Sequence, residues 1–533
     1  MECQECRRII EEGRTAIGIE LGSTRIKSVL TDYSGNVLAV GIFYWENSFV
    51  DQIWTYSLKD AVEGLRKCYA SLRDSVEEKY GIRLKKAGAI GISAMMHGYI
   101  ATDGEGRQLA PFQTWRNTNT QQAADELTSC LKFNIPLRWS AAHLYQRILD
   151  GEEHVKKISS VSTLSGYIHR LLSGENVIGI GDASGMFPID SGILDYDREM
   201  AEKFNELTAS HGFKKKIQDV FPKVLKAGEN AGYLTKEGAA LLDDKGLLEA
   251  GIPMCPPEGD AGTGMVATDS VRKRTGNVSA GTSTFAMLVL EKPLKKLHRE
   301  IDMVTTPSGY PVAMSHANNG TTDLNAWVEI FREFSSLMGF DADKNTMFEK
   351  LYTNSLKGDM DCGGLLPYGY YSGENVTMIN EGRPVFLRMP DSKFNLANFM
   401  RSHLFTSLGA VKLGMDILMK DEGVIVDRLM GHGGFFKTKG VGQRYLSASV
   451  GTPVTVLDNA GEGGAWGIAL LAAYMAVGEN MSLEDYLDNR VFSELEGDTI
   501  TAAREECEGF ERFMENYRAG LDVERTAIKC MHW

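Results

Sequence analysis

"TAIGIELGSTRIKSVLTD", Thr15 to Asp32, decides the fold. Apolar residues alternate through Ile17, Ile19 and Leu21, stop at Gly22-Ser23-Thr24, and the alternation resumes with Ile26 and Leu30. Period-two alternation broken by a turn cluster predicts a β-hairpin. "DYSGN" at 32–36 supplies a second turn before "VLAVGIF", so the chain opens as an antiparallel meander. A glycine at a tight bend lets a ligand approach the backbone, and the hydroxyl and N–H groups after it donate to phosphate oxygens. Glu20, just before the bend, is placed to hold a divalent cation through bound water, because Mg²⁺ prefers carboxylates and keeps its waters. Taken alone, the bend is more simply a hairpin with an exposed acid.

The same grammar returns once. "GNVSAGTSTFAMLVLEKP", 276–293, is again a strand, a Gly-Thr-Ser-Thr turn and a second strand. Aligning Gly22-Ser23-Thr24 with Gly281-Thr282-Ser283 makes the chain two unequal copies of one plan, starting near 15 and 276. Between them, the spacing of Leu58, Ala61, Val62, Leu65, Tyr69 and Leu72 predicts a helix over roughly 51–79. "KAGAIGISAMM", 86–96, reads as a buried strand, and 119–174 as largely helical. Helical stretches near 323–353 and 394–420 follow. "DRLMGHGGFFKT", 427–438, runs a strand into glycines, and "GEGGAWGIALLAAYMA" opens a small-residue helix. Mixed strands and helices repeated once predict two α/β domains facing each other across a cleft, with one bend per side gripping a polyphosphate.

At 533 residues the chain is too long for one hydrophobic core. A formal charge of −14 argues against general affinity for nucleic acid or a membrane surface, but not against a phosphate held by backbone N–H groups. Eight scattered cysteines suit reduced thiols, and Cys3-x-x-Cys6 lacks a second pair for a zinc site. The first residues are charged, with Glu2, Glu5, Arg7 and Arg8, so they do not read as a secretory signal. The uncharged run Gly463–Gly478 is too short to span a bilayer. The expected location is the cytoplasm. Oligomeric state stays open, a homodimer being one arrangement the sequence allows.

No Gly-Lys-Ser/Thr occurs, which excludes a P-loop, and "GDAGTG" at 259–264 lacks dinucleotide-fingerprint spacing. Six segments in order nevertheless carry one resemblance. The opening hairpin resembles G-I-D-x-G-T/S. "SAMMHGYIATDGEGRQLAPFQTWRNTNT", 93–120, resembles a sugar-binding segment ending W-x-D-x-R. "GIGDASGMFPID", 179–190, resembles S-D-A-A-G-T. "PPEGDAGTGMVATDSVRKRTGNVSAGTST", 256–284, resembles G-D-x-x-A-G running on to G-T-S. "PYGYYSGENV", 367–376, resembles P-Y-L-x-G-E-R. "GHGGFFKT" with the later "GGAWGIALLAAY" resembles the adenosine-binding G-G-G-A-K-S and its following helix. Together they are similar to the FGGY family of carbohydrate kinases over about 14 to 478.

That resemblance implies two RNase H-like, actin-like ATPase domains, an N-terminal one over 14–275 and a C-terminal one over 276–533. It implies ATP-dependent phosphorylation of a sugar or polyol, with ATP and Mg²⁺ as cofactors and a small-molecule sugar as partner. Asp260, which by its glycine neighbours alone is a turn residue, takes the place of the catalytic base. Met96, His97 and Trp115 match sugar-contact positions, and Asn117 and Asp182 join the substrate-binding set. Gly22, Ser23, Thr24, Gly281 and Thr282 would meet phosphates. Gly433, Gly434 and Phe435 would let adenosine lie against the backbone, and Gly320, in Asn318-Asn319-Gly320, belongs to another turn near the nucleotide. Glu20 is the metal position.

Departures cluster where the sugar is read. Glu20 stands for the usual Asp, Asn117 for Asp, Asn119 for Arg, and Ala261 for a common Asn or Gln. Hydrogen bonds to hydroxyls decide specificity, so the substrate is not inherited with the family. Met96-His97, where the glycerol branch usually carries Arg-Glu, favours a ketopentose of xylulose or ribulose type. The alternatives are a glycerol- or hexulose-type kinase, and a non-catalytic sugar or nucleotide sensor or actin-like ATPase.

Overall fold

The computed structural model describes residues 3–457, 463–478, 480–493 and 497–531. Gly461 and Glu462, which open the "GEGGAWG" stretch, lie outside the described residues, as does Glu2. The opening hairpin forms as its alternation predicts. Strand β1 (Thr15–Leu21) pairs antiparallel with β2 (Arg25–Asp32), Leu21 opposite Ile26, and β2 pairs with β3 (Val37–Tyr44). β4 (Ala89–Ala94) lies parallel to β1, and β5 (Glu258–Gly259) parallel to β4, giving the order β5-β4-β1-β2-β3. β4 is buried along its whole length, which explains its near-continuous apolar run.

The helix against this sheet starts later than its apolar spacing suggests, at Leu58, and ends at Tyr80. Ser57 caps its first turn, and Gly81, at φ 67°, closes it in the left-handed conformation. Residues 51–55 instead belong to a short hairpin, Ser48–Val50 with Ile53–Thr55, turned by Asp51 and Gln52 at positive φ.

The second copy repeats the first. β6 (Thr275–Ala280) pairs antiparallel with β7 (Thr284–Val289), Ala280 opposite Thr284. With β8 (Ile301–Thr305), β9 (Pro311–Ala317), β10 (Arg428–His432), β11 (Val454–Leu457) and β12 (Gly497–Ile500) the order is β8-β9-β7-β6-β10-β11-β12. β10 lies parallel to β6, as β4 does to β1. Each copy is thus a hairpin whose first strand gains a parallel neighbour contributed much later in the chain.

The chain forms two compact units: Met1–Val271 with Met303–Val312 and Gly461–Leu495, and Arg272–Asp302 with Ala313–Ala460 and Glu496–Trp533. The boundary at 275/276 therefore marks where the second copy of the topology starts rather than the edge of one continuous half. Helix Gly463–Val477 belongs to the first unit, and the reason is steric. A Cβ on Gly18 would lie 2.1 Å from Ala465 O, one on Gly91 2.6 Å from the Ile468 side chain, and one on Gly467 2.0 Å from Thr263 O. Missing side chains on β1, β4 and the helix let backbone meet backbone. Gly464 to Ala473 are buried throughout, so this helix shows no polar face.

Candidate active site

The first bend is fastened by its carbonyls. Trp45 Nε1 donates to Gly22 O at 2.7 Å, Tyr56 Oη to Ser23 O at 2.7 Å, and the Trp45 N–H to Thr24 O at 3.2 Å. In a trans peptide the N–H points opposite to the C=O, so the N–H groups of Ser23, Thr24 and Arg25 face away from these braces. The second bend is held alike: the Thr321 N–H and hydroxyl donate to Gly281 O at 2.8 and 2.9 Å, and the Gly320 N–H to Thr282 O at 2.8 Å. Its outward N–H groups are those of Thr282 and Ser283. Neither Gly22 nor Gly281 has a positive φ, so backbone freedom is not what glycine supplies here. A Cβ on Gly281 would meet nothing within 4 Å; what glycine leaves there is open space over the bend.

Acids gather below the first bend. Asp260 starts helix Asp260–Ala267 directly after β5, and its Oδ1 accepts the Met96 N–H at 3.1 Å. Thr263, one turn on, ties the helix to β4 through Ser93 Oγ at 3.1 Å. Crowding by protein pushes the Asp260 carboxyl up, and the N–H groups of Met96 and Ala261 hold it down. Asp260 is itself exposed, so water works against that rise. Glu20 is pushed up to about 7, first by desolvation and then by the charge of Asp260, while the Ala465 N–H, Arg25 and Lys27 pull it down.

Asp182 is wholly buried, accepts the Thr163 hydroxyl at 2.7 Å and that of Ser165, and is raised to about 7, chiefly by desolvation. Its other oxygen has no partner and lies 3.1 Å from where a Cβ on Gly259 would stand. Glu258, which the sequence reading passed over, is also buried; it accepts the N–H groups of Gly181 (3.2 Å) and Asp182 (2.9 Å) and is raised to about 8 by desolvation and by Asp182.

The sugar-segment residues divide. Met96 and His97 are buried at the end of β4, and His97 Nδ1 bonds Gly185 O at 3.1 Å. His97 adopts φ 71°, rare for a residue with a side chain, and such strain concentrates at functional sites. Trp115 is 39% exposed, and its neighbour Arg116 stacks its guanidinium 3.6 Å above the Trp54 ring. Asn117 is buried and occupied: its Oδ1 accepts the Trp54 N–H at 2.9 Å and its Nδ2 donates to Trp54 O at 2.8 Å. Met96, His97, Asp182, Asp260 and Glu20 thus come together, whereas Asn117 clamps the short hairpin.

In the second unit a cavity of about 850 Å³ opens over the second bend, lined by Gly281, Thr282, Thr321 and Gly434. Its far wall, Lys344, Phe348 and Tyr352 with Lys437 and Lys439, was not singled out from the sequence, because it belongs to a weakly amphipathic helix, Lys344–Ser355, and an exposed loop. Gly433, which is exposed, and Gly320, which is buried, are neighbours in sequence of the lining residues Gly434 and Thr321. Gly433 has φ 102° and a Cβ there would stand 2.5 Å from Ala280 O; one on Gly320 would stand 2.4 Å from Gly281 O. The Phe435 side chain is fully buried beside Tyr352 and Phe436, so only its backbone is left for a ligand.

Two duplicated sheets, each with a braced bend, match known proteins along nearly their whole extent. Models of the FGGY carbohydrate kinase N-terminal and C-terminal domains match residues 15–267 and 276–476. The chain belongs to the FGGY family of carbohydrate kinases. It is 22% identical over 422 residues to a xylulose kinase of Haemophilus influenzae, covering 75% of this chain and 79% of that one. A glycerol kinase of Thermococcus onnurineus is 23% identical over 358 residues, covering 64% and 67%. The structure of a xylulose kinase from Rhodospirillum rubrum superposes with a TM-score of 0.78 at 17% identity, covering 96% of this chain and 99% of that one.

This FGGY kinase uses ATP to phosphorylate a sugar-type small molecule. Its two α/β units fit the actin-like architecture of the family. Among the described residues no helix is long and apolar enough to cross a membrane, and no cluster of three or more His, Cys, Asp or Glu forms a ready metal cage.

Proposed function

We propose that the substrate is a ketopentose of xylulose or ribulose type, that Asp260 is the general base, and that Glu20 serves a Mg²⁺ ion. The observation that carries this reading is Asp260: an exposed carboxylate, aimed by the Met96 N–H, directly beside the strained Met96-His97 end of β4. The substrate hydroxyl gives its proton to Asp260 as its oxygen bonds the γ-phosphorus of ATP; the bond to the β-phosphate oxygen breaks and ADP leaves. The N–H groups of Thr282 and Ser283 would bind phosphate oxygens, and those of Ser23 and Thr24 would do the same from the first bend. Adenosine would lie along Gly433, Gly434 and the Phe435 backbone.

The charge of Asp260 adds to the rise of Glu20, the mark of close like charges, and that donor set fits a hydrated divalent cation. Glu20 would hold Mg²⁺ through water, and the ion would supply neutralisation of phosphate charge. Glu20→Ala then raises the Mg²⁺ requirement; an unchanged metal titration removes Glu20 from this role.

Relatives named xylulose kinase and the Met96-His97 pair support the ketopentose over the glycerol-type reading. ADP release from purified protein given a panel of ketoses and polyols tests it. Turnover with a pentulose is expected; turnover with glycerol alone, or none with any sugar, sinks the assignment. We retain 14–275 and 276–533 as the two family domains, the cytoplasm as location, in keeping with cysteines that are all free among the described residues, and a homodimer as the assembly for sedimentation to test.

A further inference from the structure

Glu374 lies outside the machinery above, yet it is fully buried and its two oxygens are treated unequally. Oε2 accepts both the N–H and the Nδ2 of Asn319, each at 3.1 Å, while Oε1 makes no well-formed hydrogen bond, the Val376 and Asn318 N–H groups acting on the carboxylate only from poorer geometry. An unsatisfied buried carboxylate oxygen costs stability, so packing alone does not account for an acid here. Asn319 is in turn stitched to the same loop: its Oδ1 accepts the N–H groups of Tyr371 (2.9 Å) and Ser372 (3.1 Å). The next residues carry the second bend, Gly320 through Thr282 O and Thr321 through Gly281 O. With no room for a Cβ at Gly320, movement at Asn319 passes straight to the bend.

We propose that Glu374 is a positioning residue for the phosphates of the nucleotide, the buried post that sets the second bend through Asn319. The C-terminal helix Arg504–Cys530, beyond the family-matched residues, steadies that post. Tyr517 Oη bonds Tyr370 Oη at 2.9 Å, Tyr368 Oη donates to Tyr517 O at 2.5 Å, and Arg525 donates to Thr377 O at 3.0 Å. Glu524, buried on the same helix, accepts the Arg383 N–H at 2.7 Å. These bonds pin the loop from Tyr368 to Arg383 on both sides of Glu374. The kinase therefore ties its C-terminal helix to the turn under its phosphate bend.

The proposal rests on reading the 850 Å³ cavity as the nucleotide site. Calorimetric titration of the full chain with ADP plus Mg²⁺, and separately with adenosine, tests it without a sugar. Glu374→Leu removes the acceptor of both Asn319 donors; it is expected to weaken ADP about tenfold and leave adenosine within about twofold, since only phosphates meet the bend. ADP affinity unchanged, or both ligands weakened alike, overturns the proposal. Tyr517→Phe, which deletes one hydroxyl, is expected to weaken ADP about threefold with the same selectivity. If Glu374→Leu fails to melt cooperatively, Tyr517→Phe decides by that split, and no change in ADP binding overturns the tie. An unmodified chain that binds no ADP would instead overturn the reading of the cavity, and this proposal with it.

Discussion

The two bends share a topology and differ in how they are fastened. The first hangs from side chains, the Trp45 indole and the Tyr56 hydroxyl, whose rings lie 4.4 Å apart. The second rests on backbone, the Gly320 and Thr321 N–H groups, with one hydroxyl added. It is also one residue tighter: Gly281 N–H reaches Ser283 O, whereas Gly22 N–H reaches Arg25 O. Their surroundings diverge further. Around the first lie Glu20, Asp182, Glu258 and Asp260, every one with a raised carboxyl. Around the second lie Lys344, Lys437 and Lys439. On the proposed reading, one plan serves proton chemistry in one copy and anion binding in the other, and the working difference lies in what each sheet places beside its bend.

The strongest test of that division is Asp260→Asn. It should remove nearly all phosphoryl transfer, about 10²–10⁴-fold, while ADP binding stays measurable. More than about a tenth of normal turnover would count against a base in the acidic copy. Next comes the fastening. Gly320→Ala puts a methyl 2.4 Å from Gly281 O, and backbone cannot give way as a side-chain tip can. ADP affinity should fall by roughly 10²-fold, the cost of displacing a binding group by about 1 Å. Tyr56→Phe deletes one hydrogen bond under the first bend and should cost only about 1 kcal/mol of stability. Unchanged ADP affinity in Gly320→Ala, or a roughly 10²-fold loss of ADP affinity in Tyr56→Phe, would erase the contrast.

Much of this was legible in the sequence because hairpins are local. The alternation on either side of Gly22 and Gly281 gave both bends, and the repeat gave the duplication. Family motifs then picked out Asp260 and Gly434. What stayed hidden depends on contacts distant in sequence. Glu258 reads as one acid among turn residues until its oxygens are seen on Gly181 and Asp182. Helix Gly463–Val477 reads as part of the second copy because nothing in its composition says which glycines it meets; Gly18 and Gly91 decide that. Asn117 sits at a sugar-contact position by motif, but its amide is spent on Trp54 backbone, and a motif does not show whether a polar group is already paired.

The acidic copy also predicts a pH dependence. Glu258 rises from 4.5 to about 8 on folding. Below about 4.5 both folded and unfolded chains hold the proton; between there and about 8 the unfolded chain loses it first, so stability falls as pH rises. Asp182, raised to about 7, adds in the same direction. Thermal midpoints should drop between about pH 5 and pH 8, by an amount worth a few kcal/mol at most. Glu258→Gln should flatten that slope whatever it does to absolute stability, and an unchanged slope would mean that Glu258 is ionised in the fold.

The smallest effect separates clamp from contact at Asn117. Asn117→Ala leaves the Trp54 N–H without its partner, while Trp54 O keeps the Thr114 N–H and hydroxyl, at a cost of about 1–3 kcal/mol. If the amide serves only the hairpin, the KM for the sugar should stay within about threefold of the parent once the variant is assayed below its melting point, because no hydroxyl loses a bonding group. A buried amide that also reads a substrate hydroxyl would instead raise KM by about tenfold or more, since losing a hydrogen bond to a substrate hydroxyl is costly in discrimination. The second result would move Asn117 from the scaffold of the acidic copy into its substrate pocket, and the Trp54 hairpin with it.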